Sequence, residues 1–200
     1  MPRRTFLSTA MAGVGFVAAG LSSWPSQLLA LTKAGAEGLV DQLVADINQV
    51  IATNKSEASK IRDFEQIFSR YADTAIMARY VLGADVRTAS PAQLRAFTDA
   101  FEKYIANKYG RRFREFIGGT VTVTDSRQIK AGYEVKAIAK LKGEAPFGVS
   151  FLVSDKSGRG KFYNLFIEGV NMLLTERTEI GAIMDQNGGS IDKTTAALKR

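Results

Sequence analysis

The chain has 200 residues, 46% hydrophobic and 24% charged, with a net charge of +7. It contains no cysteine and no histidine. That excludes thiol nucleophiles, disulfide frameworks, Cys/His zinc sites and imidazole acid–base chemistry, and leaves a globular composition large enough for one domain with its own core.

The N-terminus reads as an address. Pro2-Arg3-Arg4-Thr5-Phe6-Leu7 resembles the twin-arginine export motif. The apolar run from Ala10 to Leu21 is shorter than the about 20 residues that span a bilayer. Ala34-Gly35-Ala36 suits a signal peptidase, and Ala30 is the second choice because Leu28 stands where a small side chain is preferred. Residues 1–36 are therefore read as a twin-arginine-type signal peptide, with an uncleaved anchor as the alternative, and residues 37–200 as a single domain. Losing Arg3, Arg4 and Lys33 lowers the charge from +7 to about +4. That mild basicity comes without aromatic-basic interleaving, so it does not imply nucleic acid. Attraction to anionic lipid or to an acidic partner accounts for it.

From about Glu37 to Ala52, Val40, Leu43, Val44, Ile47 and Ile51 form one helical stripe. A second helix is expected from about Ser56, its N-cap, to Arg79, with Phe64, Ile67, Phe68 and Tyr71 at i, i+3, i+4 and i+7. Ser90-Pro91-Ala92-Gln93 combines an N-cap, a first-turn proline and a capping box. The helix it starts carries Phe97, Phe101, Tyr104, Ile105, Tyr109, Phe113 and Phe116, with a possible break at Gly110 and a stop at Gly118-Gly119.

The period then changes to two. Val121 and Val123, then Tyr133 to Leu141, then Phe147 to Val153, and finally residues 161–170 read as four strands of an antiparallel meander. In the last, Tyr163, Leu165 and Ile167 are expected on one face and Phe162 and Phe166 on the other, so it reads as central and covered on both sides. Glu168-Gly169 is a polar break before a helix from about Met172 to Gln186, capped by Asn187-Gly188-Gly189, and Ser190 starts a short last one. Helices, then strands, then helices make the fold α+β rather than alternating α/β.

Three motifs have plain readings. Gly158-Arg159-Gly160-Lys161 mimics a phosphate loop, but a strand follows it and Phe162 stands in the Ser/Thr position, so it is a hairpin turn. Arg111, Arg112 and Arg114 complement a helix C-terminus, with a headgroup or membrane contact as the functional alternative. Asp155, Glu168 and Tyr163 are the acid–base candidates near the sheet, as in a ketosteroid-isomerase-like site, but no spacing brings them together.

Several segments, in order, carry a family likeness. Tyr80-Val81-Leu82-Gly83, Ser90-Pro91-Ala92-Gln93 with Phe97, Phe101, Tyr104 and Tyr109-Gly110, and Glu168-Gly169-Val170 within IEGVNMLLTERTEI resemble the MlaC/toluene-tolerance family. The chain departs from that pattern at Gly160 or Lys161, where the family often has Trp, at Asn164, and at Asn171 in place of Ser. The resemblance implies an NTF2-like twisted sheet of about four strands wrapped by N- and C-terminal helices. It implies a monomeric periplasmic phospholipid carrier without enzymatic activity or cofactor. Its implied partners are an inner-membrane ABC transporter with an MCE-domain protein and an outer-membrane lipoprotein complex. A hopanoid cargo, or an exported adaptor packing on a partner protein, are the alternatives.

A two-chain lipid has about 30 methylenes, each worth about 0.8 kcal/mol on burial, so its carrier needs a dry slot. By facing and aromatic density the slot candidates are Val81, Leu82, Phe101, Tyr104, Ile105, Tyr109 and Phe113 from the helices and Phe147, Phe151, Tyr163, Leu165 and Val170 from the sheet side. The export reading predicts that Arg3→Lys with Arg4→Lys stops periplasmic accumulation, measured by cell fractionation. Normal accumulation would assign the chain to the ordinary secretory route.

Overall fold

The computed structural model describes residues 30–111 and 119–199. The first helix, α1 (Lys33–Ala52), starts one turn earlier than the stripe suggests. Thr32 is its N-cap, its hydroxyl accepting from the Gly35 N–H at 3.0 Å, and Leu31 N donates to the Asp155 carboxylate at 2.8 Å. Ala36 is completely buried in the first turns. Of the small residues read as a processing site, Ala36 is thus also part of the packed core, while Ala34 and Gly35 are exposed.

The expected second helix is two. α2 (Glu57–Tyr71) and α3 (Thr74–Leu82) are separated by Ala72-Asp73. Asp73 accepts from Ile76 N at 3.2 Å and so caps α3, a cap hidden inside a continuous helical pattern. The break is also fixed from outside. Asp73 N donates to Phe162 O at 2.8 Å, and Lys161 Nζ donates to Ser69 O and Ala72 O, both at 3.0 Å. A 3-10 turn (Gly83–Arg87) leads to α4 (Pro91–Gly110), whose capping box forms as expected between Ser90 and Gln93.

Five strands follow in simple meander order, all antiparallel: β1 (Thr120–Ile129), β2 (Gly132–Lys140), β3 (Phe147–Ser154), β4 (Lys161–Ile167) and β5 (Val170–Asn171). Gly132 is required at the β1–β2 turn. Its φ is +129°, and a Cβ there would lie 2.0 Å from Val153 O. α5 (Met172–Gln186) and α6 (Ile191–Ala197) complete the described fold. The helices cover one face of the sheet, where Val135, Ala137, Ala139, Val149 and Val153 are buried. On the other face Lys136, Ile138 and Lys140 are exposed.

β4 differs from its sequence reading in an informative way. Leu152 pairs with Asn164 and Val153 with Phe162, so Tyr163 is the extra residue of a β-bulge. Directly opposed residues share a face, which turns Phe162, Leu165 and Ile167 inward with Phe151 and Val149. Tyr163 drops out of that set. Tyr163 and Phe166 stay half-buried, so the strand is not sealed on both sides. Nor does it run on to Val170. Glu168 (φ +49°) and Gly169 (φ +80°) reverse the chain, and Val170–Asn171 pairs back on Ile167 and Phe166.

Asn164, buried beside the bulge, ties these parts together. Its side-chain oxygen accepts from Leu165 N at 2.8 Å and from Leu173 N in the first turn of α5 at 3.3 Å. Asn164→Leu leaves both N–H groups without that acceptor and is expected to cost about 1–3 kcal/mol in urea denaturation. An unchanged midpoint would show that the tie is incidental.

Candidate functional site

Between the inward sheet face and the helices lies a cavity of about 450 Å³. Leu43 and Ile47 of α1, Phe64 and Phe68 of α2, and Phe101 and Ile105 of α4 wall it on one side. Phe147, Phe151, Phe162 and Leu165 wall it on the sheet side, and Met172 and Leu173 at the start of α5. The ring of Phe162 meets Phe151 and Phe68 edge-on, each with centroids 5.9 Å apart, which builds a rigid aromatic wall rather than a filled core. Small side chains at Ala106 and Ala139 leave the space open. The exposed polar residues on its lining are Asn48, Glu144 and Glu168, which mark the rim.

One wall carries charge. Glu176 of α5 is only 2% exposed and accepts from Lys108 Nζ of α4 at 2.8 and 3.1 Å and from the Tyr109 hydroxyl. Lys108 also bonds Glu179, which accepts from the Tyr104 hydroxyl. Burial pulls the Lys108 ammonium toward neutrality, but the hydrogen bonds to Glu176 and Glu179 outweigh it and hold its pKa above the lysine range. The bonds from Lys108 and then Tyr104 lower that of Glu179. Burial, then the carboxylate each one bonds, pushes Tyr104 and Tyr109 up. Glu179 therefore adds stability above its unfolded value near 4.5 and loses it as pH falls through its depressed folded value. Lys108 adds stability below its unfolded value of 10.5 and loses it only at still higher pH. At neutral pH both are charged.

Of the twelve slot residues expected from the sequence, Phe101, Ile105, Tyr109, Phe147, Phe151 and Leu165 line this cavity. Val81 and Leu82 are buried in α3 and do not line it, and Tyr104 turns to Glu179. Tyr163 leaves the wall at the bulge, and Val170, 55% exposed, stands on the turn beyond β4. Phe113 lies outside the described residues, as do Arg112 and Arg114. The α1 and α2 stripes were legible as apolar faces, but nothing in their spacing says that the face looks onto a hollow. Phe162 and Glu176 were missed for a different reason: the bulge inverts the first, and a buried acid on a helix is visible only with its partners.

The acid–base candidates do not converge. Asp155 follows the last residue of β3, where Ser154 pairs with Lys161, whereas Glu168 N bonds Gly148 O at the other end of the hairpin. That separation is roughly 20 Å along the strands. Among the described residues no group of three His, Cys, Asp or Glu side chains could hold a metal, and no helix is long and apolar enough to cross a membrane.

The MlaC protein family model matches residues 37–200. The chain belongs to the MlaC family. One curated relative, the toluene tolerance protein ttg2D of Pseudomonas putida, is 23% identical over 162 residues, covering 79% of this chain and 75% of that protein. Among solved structures the chain resembles a phospholipid-binding protein from Ralstonia solanacearum in complex with a phospholipid, with a TM-score of 0.68 and 18% identity over 82% of this chain and 99% of that one. The latter likeness establishes the shared α+β fold.

A hollow tolerates added volume better than a filled core does. Ala139 lines the cavity, whereas the equally buried Ala100 does not. Ala100→Leu is expected to cost about 1–3 kcal/mol through overpacking, and Ala139→Leu clearly less, because its added methyls enter open space. Thermal melts of the two variants compare them, and equal losses would mean that the cavity wall does not yield room.

Proposed function

We propose that this member of the MlaC family is a periplasmic lipid carrier, holding acyl chains in the cavity and leaving the polar headgroup at the Asn48–Glu144–Glu168 rim. The observation that carries the reading is a mostly apolar 450 Å³ cavity, open at a polar rim, in a chain whose acid–base candidates lie apart. The fold shared with a phospholipid-bound protein supports the cargo class. The lining residues Phe101, Ile105, Tyr109, Phe147, Phe151 and Leu165 are the proposed chain contacts. In this reading the protein is a non-enzymatic, monomeric soluble component. It passes lipid between an outer-membrane lipoprotein complex and an inner-membrane ABC transporter with an MCE-domain protein.

Export by the Arg3-Arg4 signal belongs to the same proposal. We propose a cut after Ala30 rather than after Ala36, and the packing at the start of α1 supports it. A cut after Ala36 would remove the Thr32 cap, the first turn of α1 and the buried Ala36 side chain.

Native mass spectrometry of the protein purified from the periplasm tests the proposal. The expected spectrum shows a chain beginning at Leu31 with one bound lipid that organic extraction removes and that the emptied protein rebinds. Extraction followed by lipid analysis separates phospholipid from a hopanoid. A chain without lipid that takes up none would overturn the carrier in favour of an adaptor, and a chain beginning at Glu37 would overturn the Ala30 cut.

A further inference from the structure

The cavity is too small for the cargo its wall suggests. An apolar cavity of about 150 Å³ holds one benzene, so 450 Å³ holds roughly eighteen carbons, about one long acyl chain. A lipid with two chains needs close to twice that. If the protein carries such a lipid, a wall must give way, and the walls are not equally able to do so.

The sheet side is a continuous hydrogen-bonded ladder from β1 to β4, and parting it would strand backbone groups. On the helix side α1 packs on α2, α2 on α4, and both α3 and α6 on α4 and α5 alike. α4 and α5 scarcely approach each other directly, although both border the cavity. Their ends are joined by polar side-chain tips. Lys108 reaches from α4 to Glu176 and Glu179 of α5, with the hydroxyls of Tyr109 and Tyr104 on the same two carboxylates. The ammonium also lies 5.4 Å from the Tyr104 ring centroid and 5.7 Å from that of Tyr109. Such a seam differs in kind from the apolar packing elsewhere. Separating it admits water to groups that water can satisfy, whereas separating an apolar wall exposes carbon to water.

We propose that the Lys108–Glu176–Glu179 cluster sets how many acyl chains the cavity accepts. With the seam closed the cavity takes a single chain. With α4 and α5 parted at the seam it takes two. Lys108, Glu176 and Glu179 thereby determine specificity between one-chain and two-chain amphiphiles by fixing the width of the wall, and this inference rests on the carrier reading above.

The absence of native cysteine makes the test direct. Tyr104→Cys with Glu179→Cys, joined in the folded protein by a short bis-maleimide, locks the seam without disturbing buried Glu176. Uptake from solution is then compared for a lysophospholipid and for the two-chain phospholipid with the same headgroup. The linked protein is expected to bind the lysophospholipid as the unlinked protein does and to lose about tenfold or more of its two-chain affinity. Lys108→Ala should loosen the seam and speed two-chain uptake with little change for the lysophospholipid, and Lys108→Arg should restore the original discrimination. Two-chain binding by the linked protein at the unlinked affinity would overturn the inference, as would an equal loss of both ligands. An unlinked protein that binds neither lipid would instead remove the carrier reading itself.

Discussion

The buried Asn164 side chain is the interaction on which the cavity depends. It lies next to the bulge that rotates β4, and its oxygen accepts from the backbone on both sides of the β4–α5 connection. The bulge decides that Phe162 rather than Tyr163 faces inward with Leu165 and Ile167. The bond to Leu173 fixes where α5 begins, and with it the position of Met172, Leu173 and Glu176 on the wall. A polar side chain at this buried place is stable because both of the N–H groups it accepts from would otherwise need another partner. Asn171 repeats the device one step on, capping α5 through Leu174 N.

The cavity persists because its neighbours are held by interactions that do not require it to be filled. Phe97 and Phe101 stack on α4 with centroids 6.3 Å apart, and Phe97 is fully buried in the packed part of the core. The Phe162 edge contacts and the strand ladder hold the opposite wall. Collapse would have to break these contacts, so the small side chains at Ala106 and Ala139 stay facing open space. The same molecule therefore has a dense half that provides stability and a hollow half available to a ligand.

The charged seam sits at the boundary of these two halves. Two carboxylates share one ammonium, and tyrosine hydroxyls satisfy remaining acceptor capacity. Burying Glu176 without Lys108 would be costly, so the pair is retained together or not at all. A fully apolar seam would close more tightly but would also be harder to part. The charged one trades some packing for the ability to open into water.

Much of the fold was legible in the sequence because it depends on local chemistry. The period-2 runs, the Ser90-Pro91-Ala92-Gln93 start and the Glu168-Gly169 break each act over a few residues, and they place α4, the meander and the turn before α5. Six of the cavity-lining residues were also legible as apolar, since aromatic density on an amphipathic helix and an alternating strand marks an apolar face whatever lies opposite. Only the tertiary structure decided the rest. It alone showed that Asp73, bonded to Phe162, divides one helical pattern into two helices. One extra residue in the β4 ladder removed Tyr163 from the wall and brought Phe162 in, a change of register that alternation cannot reveal. Lys108 and Glu176 are 68 positions apart. Their meeting, and the hollow that Glu176 borders, exist only where helices distant in the chain are brought side by side.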